Sequence, residues 1–467
     1  MIWQRFLDTA ARHASAPALI GDQGTLSYAE LVAQAKGEAR KLPDRPTGAA
    51  PARVLLVSTE PVTLLVRVLA CWSKGLVPVL LRDGQTPESL ARIREIATPI
   101  AILSDETPET RLPDSRQPRP PFGPRDEALV ICTSGTTGTP KLVALCAEGV
   151  ETTARAIVED LGFAEGDIIA VATPLTYMYG LMGASVSALL SGAALRMFQP
   201  GQPLTIVQAA IRRENITILQ GPPSLMRLFL AYWNGTPFPS VRLVTTGGEY
   251  MNADLVDKLS QAFPQSAFRL VYGMTEAGPR ISHVRTVQHH GAGLVVGRPF
   301  DHFDWRIDPV AQEGLPDGSG RLALRGPSVC LGYIQPGNQY EGVEPDGFFR
   351  STDLVCERDG QLVFLGRYDR LFKTGGKLVN PLEIEDLLMR HPAVHDAACH
   401  VQEHRLLGLV PVVDVVLETG MENDLDALPD ALKGHCMALE PHARPHRIDI
   451  VPALEIAASG KKAARKA

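Results

Sequence analysis

The chain is 467 residues long, enough for about three domains with cores of their own. Hydrophobic residues make up 45% and charged residues 21%, an ordinary globular balance, and a net charge of −6 carries no electrostatic footprint for nucleic acid. The 7 cysteines (positions 71, 132, 146, 330, 356, 399 and 436) include no CxxC pair, which excludes a zinc ribbon or a disulfide framework and fits a reducing, cytoplasmic compartment. The opening MIWQRFLDTAARH has no apolar stretch of the kind a secretory leader needs. Short β-branched runs then alternate with helical patterns: VLLVST (54–59), a helix over 61–74, VPVLL, a helix over 87–97, and IAIL. The Pro-rich stretch from Asp105 to Asp126 reads as a surface excursion rather than a domain boundary.

After the apolar Ala128-Leu129-Val130 comes ICTSGTTGTPK (131–141), a strand running into a loop of hydroxylated residues and glycines that ends in Lys141. Glycines let backbone N–H groups converge on one anion; Ser and Thr hydroxyls add donors and the lysine a point charge, so the loop suits phosphate. The same composition also suits a plain surface turn. It is not a Walker loop, because G-x-x-x-x-G-K-[ST] is absent and LVAL after Lys141 reads as a strand.

Further along, helices are predicted near 151–161, 181–192, 204–214, 222–233 and 252–263, between the strands IIAVAT, LRMF, ITILQG, VRLVTTGG and FRLVYG. This alternation predicts parallel sheets covered by helices, an α/β fold. Ile168 to Leu195 is uncharged and long enough to span a bilayer, but Pro174 and interspersed glycines break it into strand, loop and helix, so it reads as core beside a pocket, with no membrane span. From about residue 285 short strands with Gly/Pro/Asp turns predict a small β-rich subdomain, and from Tyr368 a shorter mixed α+β segment closes the chain.

Several of these strands end in ligand-type loops, as α/β sheets do where they bind ligands. VYGMTEAG (271–278) offers an aromatic to stack on a base, a hydroxyl for phosphate and a carboxylate for Mg²⁺. The glycines of TTGGE (245–249) suit a flat purine, and STD (351–353) offers a carboxylate to ribose hydroxyls. Singly, each also suits an ordinary loop.

In their order and spacing, TSGTTGTPK, GGE, YGMTEAG, DGFFRSTDL, GRYDRLFKTGGKLVNPLEIE and SGKK closely resemble the acyl-adenylate-forming (AMP-binding) superfamily, and YGMTEAGP resembles its 4-coumarate:CoA ligase branch. The resemblance runs from LSYAEL (26–31) and KGLVPV (74–79) to Lys461. It implies an N-terminal adenylation core over 1–367, with the β-rich subdomain at about 285–367, and a small mobile C-terminal domain over 368–467. By that likeness Thr133, Ser134, Gly135, Thr136, Thr137, Gly138 and Lys141 grip the ATP β- and γ-phosphates. Gly247, Gly248 and Glu249 border the adenine, on which Tyr272 stacks beside Gly273. Thr275 contacts phosphate, Glu276 is the Mg²⁺ carboxylate, and Asp353 with Arg367 holds the ribose. Asp369 is the hinge, and Lys461 bridges the substrate carboxylate and the α-phosphate, with Lys462 as the alternative because GKKAAR is one residue longer than the common spacing. Leu142 and Thr352 stand where glycine is common, and Leu378 where arginine or glutamine is.

The cofactors implied are ATP and Mg²⁺, and the reaction is activation of a carboxylic acid to acyl-AMP. PLTYMYGLMGASVSALL has no acidic residue to pair with a substrate ammonium, which disfavours an α-amino acid. Tyr177, Met178, Tyr179 and Gly180 suggest an apolar, adaptable pocket for an aryl or acyl carboxylate, although core packing explains any one of them equally well. No carrier domain is fused to the chain, so the thiol acceptor is coenzyme A or the phosphopantetheine of a discrete acyl carrier protein. A third reading, a non-catalytic nucleotide-binding homologue, is opposed by the intact Lys141, Glu276, Asp353 and Lys461.

Overall fold

The alternating strands and helices of the first 290 residues build one eight-stranded sheet and six strands of a second. The computed structural model describes residues 2–45, 51–82, 85–105, 109–110, 122–134, 140–249, 251, 253–290, 293–311, 314–418 and 428–454. In one sheet the central strands Pro17–Gly21, Ala194–Met197, Ile168–Val171, Ile218–Gly221, Leu243–Gly247 and Ala267–Tyr272 run parallel in that spatial order. Antiparallel strands Gly24–Ser27 and Ser282–Val284 close its two edges. Their near-continuous apolar runs are those of strands covered on both faces. The second sheet joins parallel Arg53–Leu56, Val77–Leu80 and Ala101–Leu103 to the antiparallel pair Glu127–Ser134 and Pro140–Cys146.

Helices Ile2–Arg12, Tyr28–Ala39, Pro61–Ser73 and Ala147–Leu161 pack on one another and on both sheets, and the main core lies among them. Local chemistry sets their ends. Ser27 and Glu30 form a reciprocal capping box at the start of Tyr28–Ala39, and Gly162 closes Ala147–Leu161 in the left-handed conformation. Among the described residues no helix is long and apolar enough to cross a membrane.

Two expectations are corrected. The helix expected over 181–192 begins earlier and is divided: Tyr179–Val186 is wound as a π-helix, and only Ser187–Ser191 is α-helical. Here the Ser185 and Ser187 hydroxyls donate to carbonyls five residues back, at Gly180 (2.9 Å) and Met182 (2.5 Å), which matches the wider turn. Nor does the β-rich segment keep to itself. Most of it forms a six-stranded antiparallel sheet, but Gly332–Gln335 and Gln339–Glu341 leave it to pair along Pro140–Cys146, extending the second large sheet. A buried ion pair fastens this hairpin: Arg53 holds Glu127 through two hydrogen bonds (2.6 and 2.8 Å) and donates to Asn338, and the half-exposed Tyr340 donates to Glu127.

Beyond Phe372 a separate core of Val379, Ile384, Leu388, Val413 and Val415 is covered by helix Pro381–Met389 and a five-stranded sheet. The Asn380 side chain caps that helix and also donates to the Leu365 carbonyl, joining it to strand Gln361–Arg367.

Candidate active site

The parallel strands Leu243–Gly247 and Ala267–Tyr272 lie side by side, so the loops at their carboxyl ends open into one crevice. Close packing dictates the glycines there. A Cβ on Gly247 would stand 2.2 Å from the Val271 carbonyl oxygen, and one on Gly273 would stand 2.3 Å from the Pro279 carbonyl. Gly248, at φ +86°, faces open space. Glu249 turns away to accept hydrogen bonds from the Ser224 N–H (2.9 Å) and hydroxyl (2.8 Å), anchoring the start of helix Pro223–Ala231.

Tyr272 donates to the Asp353 carboxylate at 2.6 Å, with its ring centroid 6.0 Å from that of Phe364. Burial and then that carboxylate raise its phenol well above the ordinary range. Asp353 and Arg367 are register partners on strands Phe349–Arg358 and Gln361–Arg367. Arg367 donates to both oxygens of Asp369, at 3.0 and 2.8 Å. Burial works against its charge, but the carboxylates of Asp369, Asp353 and Glu276 outweigh it and keep the guanidinium protonated.

Thr275 and Glu276 sit on a single 3-10 turn, Thr275–Ala277. Glu276 accepts the Tyr333 hydroxyl at 2.8 Å, and the Lys141 ammonium lies over the Tyr333 ring, 4.7 Å from its centroid. Lys141 stands opposite Thr133 in the pair of strands that brackets the Gly/Thr loop. Ser134 ends the first of those strands; Gly135, Thr136, Thr137, Gly138 and the proposed lysine Lys461 lie outside the described residues. Leu142 is buried opposite Cys132, where a side chain fills core space.

Across the crevice the Arg82 guanidinium lies 4.4 Å from the centre of the Tyr177 ring, Met178 is buried, and Gly180 is buried in the first turn of the π-helix. Tyr179 shares a 2.8 Å hydrogen bond with Thr245 on the neighbouring strand. Phenol, guanidinium, carboxylates and ammonium thus converge on the strand ends from three sheets.

The profile of the AMP-binding enzyme matches residues 6–334, and that of the AMP-binding enzyme C-terminal domain matches residues 383–461. The chain belongs to the AMP-binding enzyme family. A 4-coumarate–CoA ligase of Pinus taeda is 30% identical over 333 residues, 68% of this chain and 60% of that ligase. The 4-coumarate–CoA ligase 2 of Oryza sativa subsp. japonica is 28% identical over 391 residues, 78% of this chain and 67% of its own. The match to the pine enzyme thus spans three fifths of its length. Among solved structures, ATP-bound MatB from Rhodopseudomonas palustris superposes with a TM-score of 0.84 at 24% identity, covering 99% of this chain and 96% of MatB. The o-succinylbenzoate CoA synthetase (MenE) of Bacillus subtilis, complexed with its acyl-adenylate OSB-AMP, gives 0.81 at 22% identity, covering 98% and 96%. The AMP-binding enzyme fold is therefore the fold of this chain, as the motifs implied.

In this AMP-binding enzyme, sequence reasoning missed Tyr333, Thr245 and Arg280. Tyr333 reaches Glu276 only because its hairpin pairs with the strand carrying Lys141, a pairing across 190 residues of chain with no local signal. The aromatic that closes the LGY turn was the only available sign.

Proposed function

We propose that this protein uses ATP and Mg²⁺ to convert an aryl or acyl carboxylic acid to its acyl-adenylate and then transfers the acyl group to the thiol of coenzyme A. The observation that carries this reading is the connected set Tyr272–Asp353–Arg367 and Lys141–Tyr333–Glu276 at adjoining strand ends. A flat base fits beside Gly248 and the Tyr272 ring, the Asp353 carboxylate suits ribose hydroxyls, and Lys141 with the loop before it suits the phosphates. Glu276 fits Mg²⁺. One carboxylate is enough for an ion whose other ligands are phosphate oxygens and water. When bound, the ion neutralises charge on the polyphosphate.

In the first half-reaction a substrate carboxylate oxygen bonds to the α-phosphorus, and the bond from that phosphorus to the bridging oxygen of pyrophosphate breaks. In the second, the thiol sulfur bonds to the acyl carbon, AMP leaves with the electron pair and the thiol proton passes to solvent. Neither step needs a covalent protein nucleophile. Positioning and positive charge lower the barrier. Residues 368–467 are read as the mobile domain, hinged at Asp369 and bringing Lys461 to the carboxylate and α-phosphate. The CoA-ligase names of the relatives favour coenzyme A, and the buried free thiols suit a cytoplasmic setting.

Carboxylate-dependent ATP–pyrophosphate exchange over a panel of acids tests the reading. Exchange that requires both an acid and Mg²⁺ is expected, and ATP binding without exchange for any acid would refute it. Adding coenzyme A or a phosphopantetheinylated carrier protein to the active pair then identifies the acceptor.

A further inference from the structure

Arg280 follows directly on YGMTEAGP, and the adenylation motif gives it no role. Its residue is 2% exposed, and among the described residues Nε, Nη1 and Nη2 all lack a hydrogen-bond partner. The nearest opposite charge is Asp160 on helix Ala147–Leu161, whose Oδ2 stands 3.9 Å from Nη1, beyond hydrogen-bonding reach. That carboxylate is shared: its Oδ1 lies 3.0 Å from the His283 Nδ1 on strand Ser282–Val284. Arg269, on strand Ala267–Tyr272, adds a second cation acting on Arg280, and its Nε is also unpartnered. Arg280 and Arg269 therefore draw on one carboxylate, and Arg285 adds a further positive charge beside Arg269. A buried guanidinium with five idle donor hydrogens is costly unless something pairs with it.

The position of these idle donors shows what would accept from them. Tyr179, in the π-helix that lines the crevice, feels the Arg280 charge, and its hydroxyl meets Thr245. Gln220, Thr245 and Arg269 are register neighbours on three adjacent parallel strands and so share one face of the sheet. Gln220 is likewise buried, with both amide atoms unpartnered. On that face the polar lining runs inward from the strand end at Gly247.

We propose that Arg280 receives a second carboxylate of the substrate, so that the acid activated at the nucleotide end is a dicarboxylate. The inference rests on the adenylation reading. A guanidinium presents a planar fork that matches a carboxylate, and a second carboxylate offsets the local excess of positive charge. The same excess repels an ammonium, in keeping with the absence of an acidic residue from PLTYMYGLMGASVSALL.

The test is ATP–pyrophosphate exchange with matched pairs: adipate against hexanoate, terephthalate against benzoate, and 4-carboxycinnamate against cinnamate. Wild-type protein is expected to favour the dicarboxylate of at least one pair by about 10- to 100-fold in kcat/KM. The monomethyl ester of that diacid should lose the preference, a substrate-side control that needs no variant. Arg280→Leu should bring the ratio within the pair close to one, and Arg280→Lys should keep part of it. Parity in every pair, an ester as good as the diacid, or an unchanged ratio in Arg280→Leu would leave Arg280 a structural cation only and overturn the inference while adenylation stands. Exchange with none of the acids would overturn the adenylation reading, and this inference with it.

Discussion

Glu276 accepts a hydrogen bond from Tyr333, and the ring of Tyr333 supports the ammonium of Lys141, so one phenol positions both an anion and a cation of the proposed nucleotide site. Replacing Glu276 by Gln keeps an oxygen for the Tyr333 hydroxyl but removes the negative charge that suits Mg²⁺. Glu276→Gln should therefore keep its thermal stability within about 0.5 kcal/mol while exchange falls by about 100-fold or more. An unchanged exchange rate at saturating Mg²⁺ would make Glu276 only a partner of Tyr333. Asp353 gives a second test. Its loss removes a charged acceptor from the ribose and strands the buried Tyr272 hydroxyl. Asp353→Ala should weaken ATP binding by roughly 1.5–3 kcal/mol, about 10- to 150-fold in Kd. Calorimetric titration reads this directly, and wild-type affinity would detach STD from the ribose.

Between elements, the binding crevice depends on how its parallel strands are held at their far ends. Asp167, just before strand Ile168–Val171, accepts from the Ala164 N–H (3.0 Å), the Thr217 hydroxyl (2.8 Å) and Arg242 (2.8 and 2.5 Å), tying three strands together. Burial alone would raise its pKa, but the Arg242, Thr217 and Ala164 donors outweigh it and hold the carboxyl below its ordinary value. A depressed carboxyl stabilises the fold at pH values above its unfolded pKa, and the contribution fades as pH falls through the lower folded value. Asp167→Asn should therefore cost roughly 1–3 kcal/mol at pH 7, and the gap to wild type should close below about pH 4. A gap in Tm that stays constant from pH 7 to pH 3 would assign the effect to packing instead. These strands and helices were legible because their apolar runs and turn residues are local, and so were the strand-end loops that carry Tyr272, Glu276 and Gly247. The π-helical winding at Tyr179–Val186 was not, since an uncharged, buried segment has no polar face to reveal its turn. Nor was the crossing of Gly332–Gln335 to the second sheet, which depends on Arg53, Glu127 and Tyr340, residues far apart in sequence. The contact of the Glu249 carboxylate with the N–H and hydroxyl of Ser224 was not legible either, because it joins two strand-end loops 25 residues apart.

At the scale of the whole molecule, the core of residues 372–448 is separate from the main one, and Asp369 lies between them, clasped by Arg367. Rotation there would let one segment serve two half-reactions. Lys461→Ala should slow acyl-adenylate formation about 100-fold or more with little change in ATP affinity, while supplied acyl-adenylate and thiol still yield thioester near the wild-type rate. Equal loss of both half-reactions would argue against alternation, and a defect confined to Lys462→Ala would move the lysine by one residue. The sulfur atoms add a chemical consequence. All the cysteines are free and buried, and burial raises the thiols of Cys71, Cys132, Cys330, Cys356, Cys399 and Cys436. An acyl-adenylate and a thioester are both acylating agents, and thiolates are the nucleophiles they would meet first. In the proposed reaction, seven buried thiols, six of them held protonated by burial, would offer the electrophilic intermediate no internal target, so that the acyl group would leave on the acceptor rather than on the enzyme.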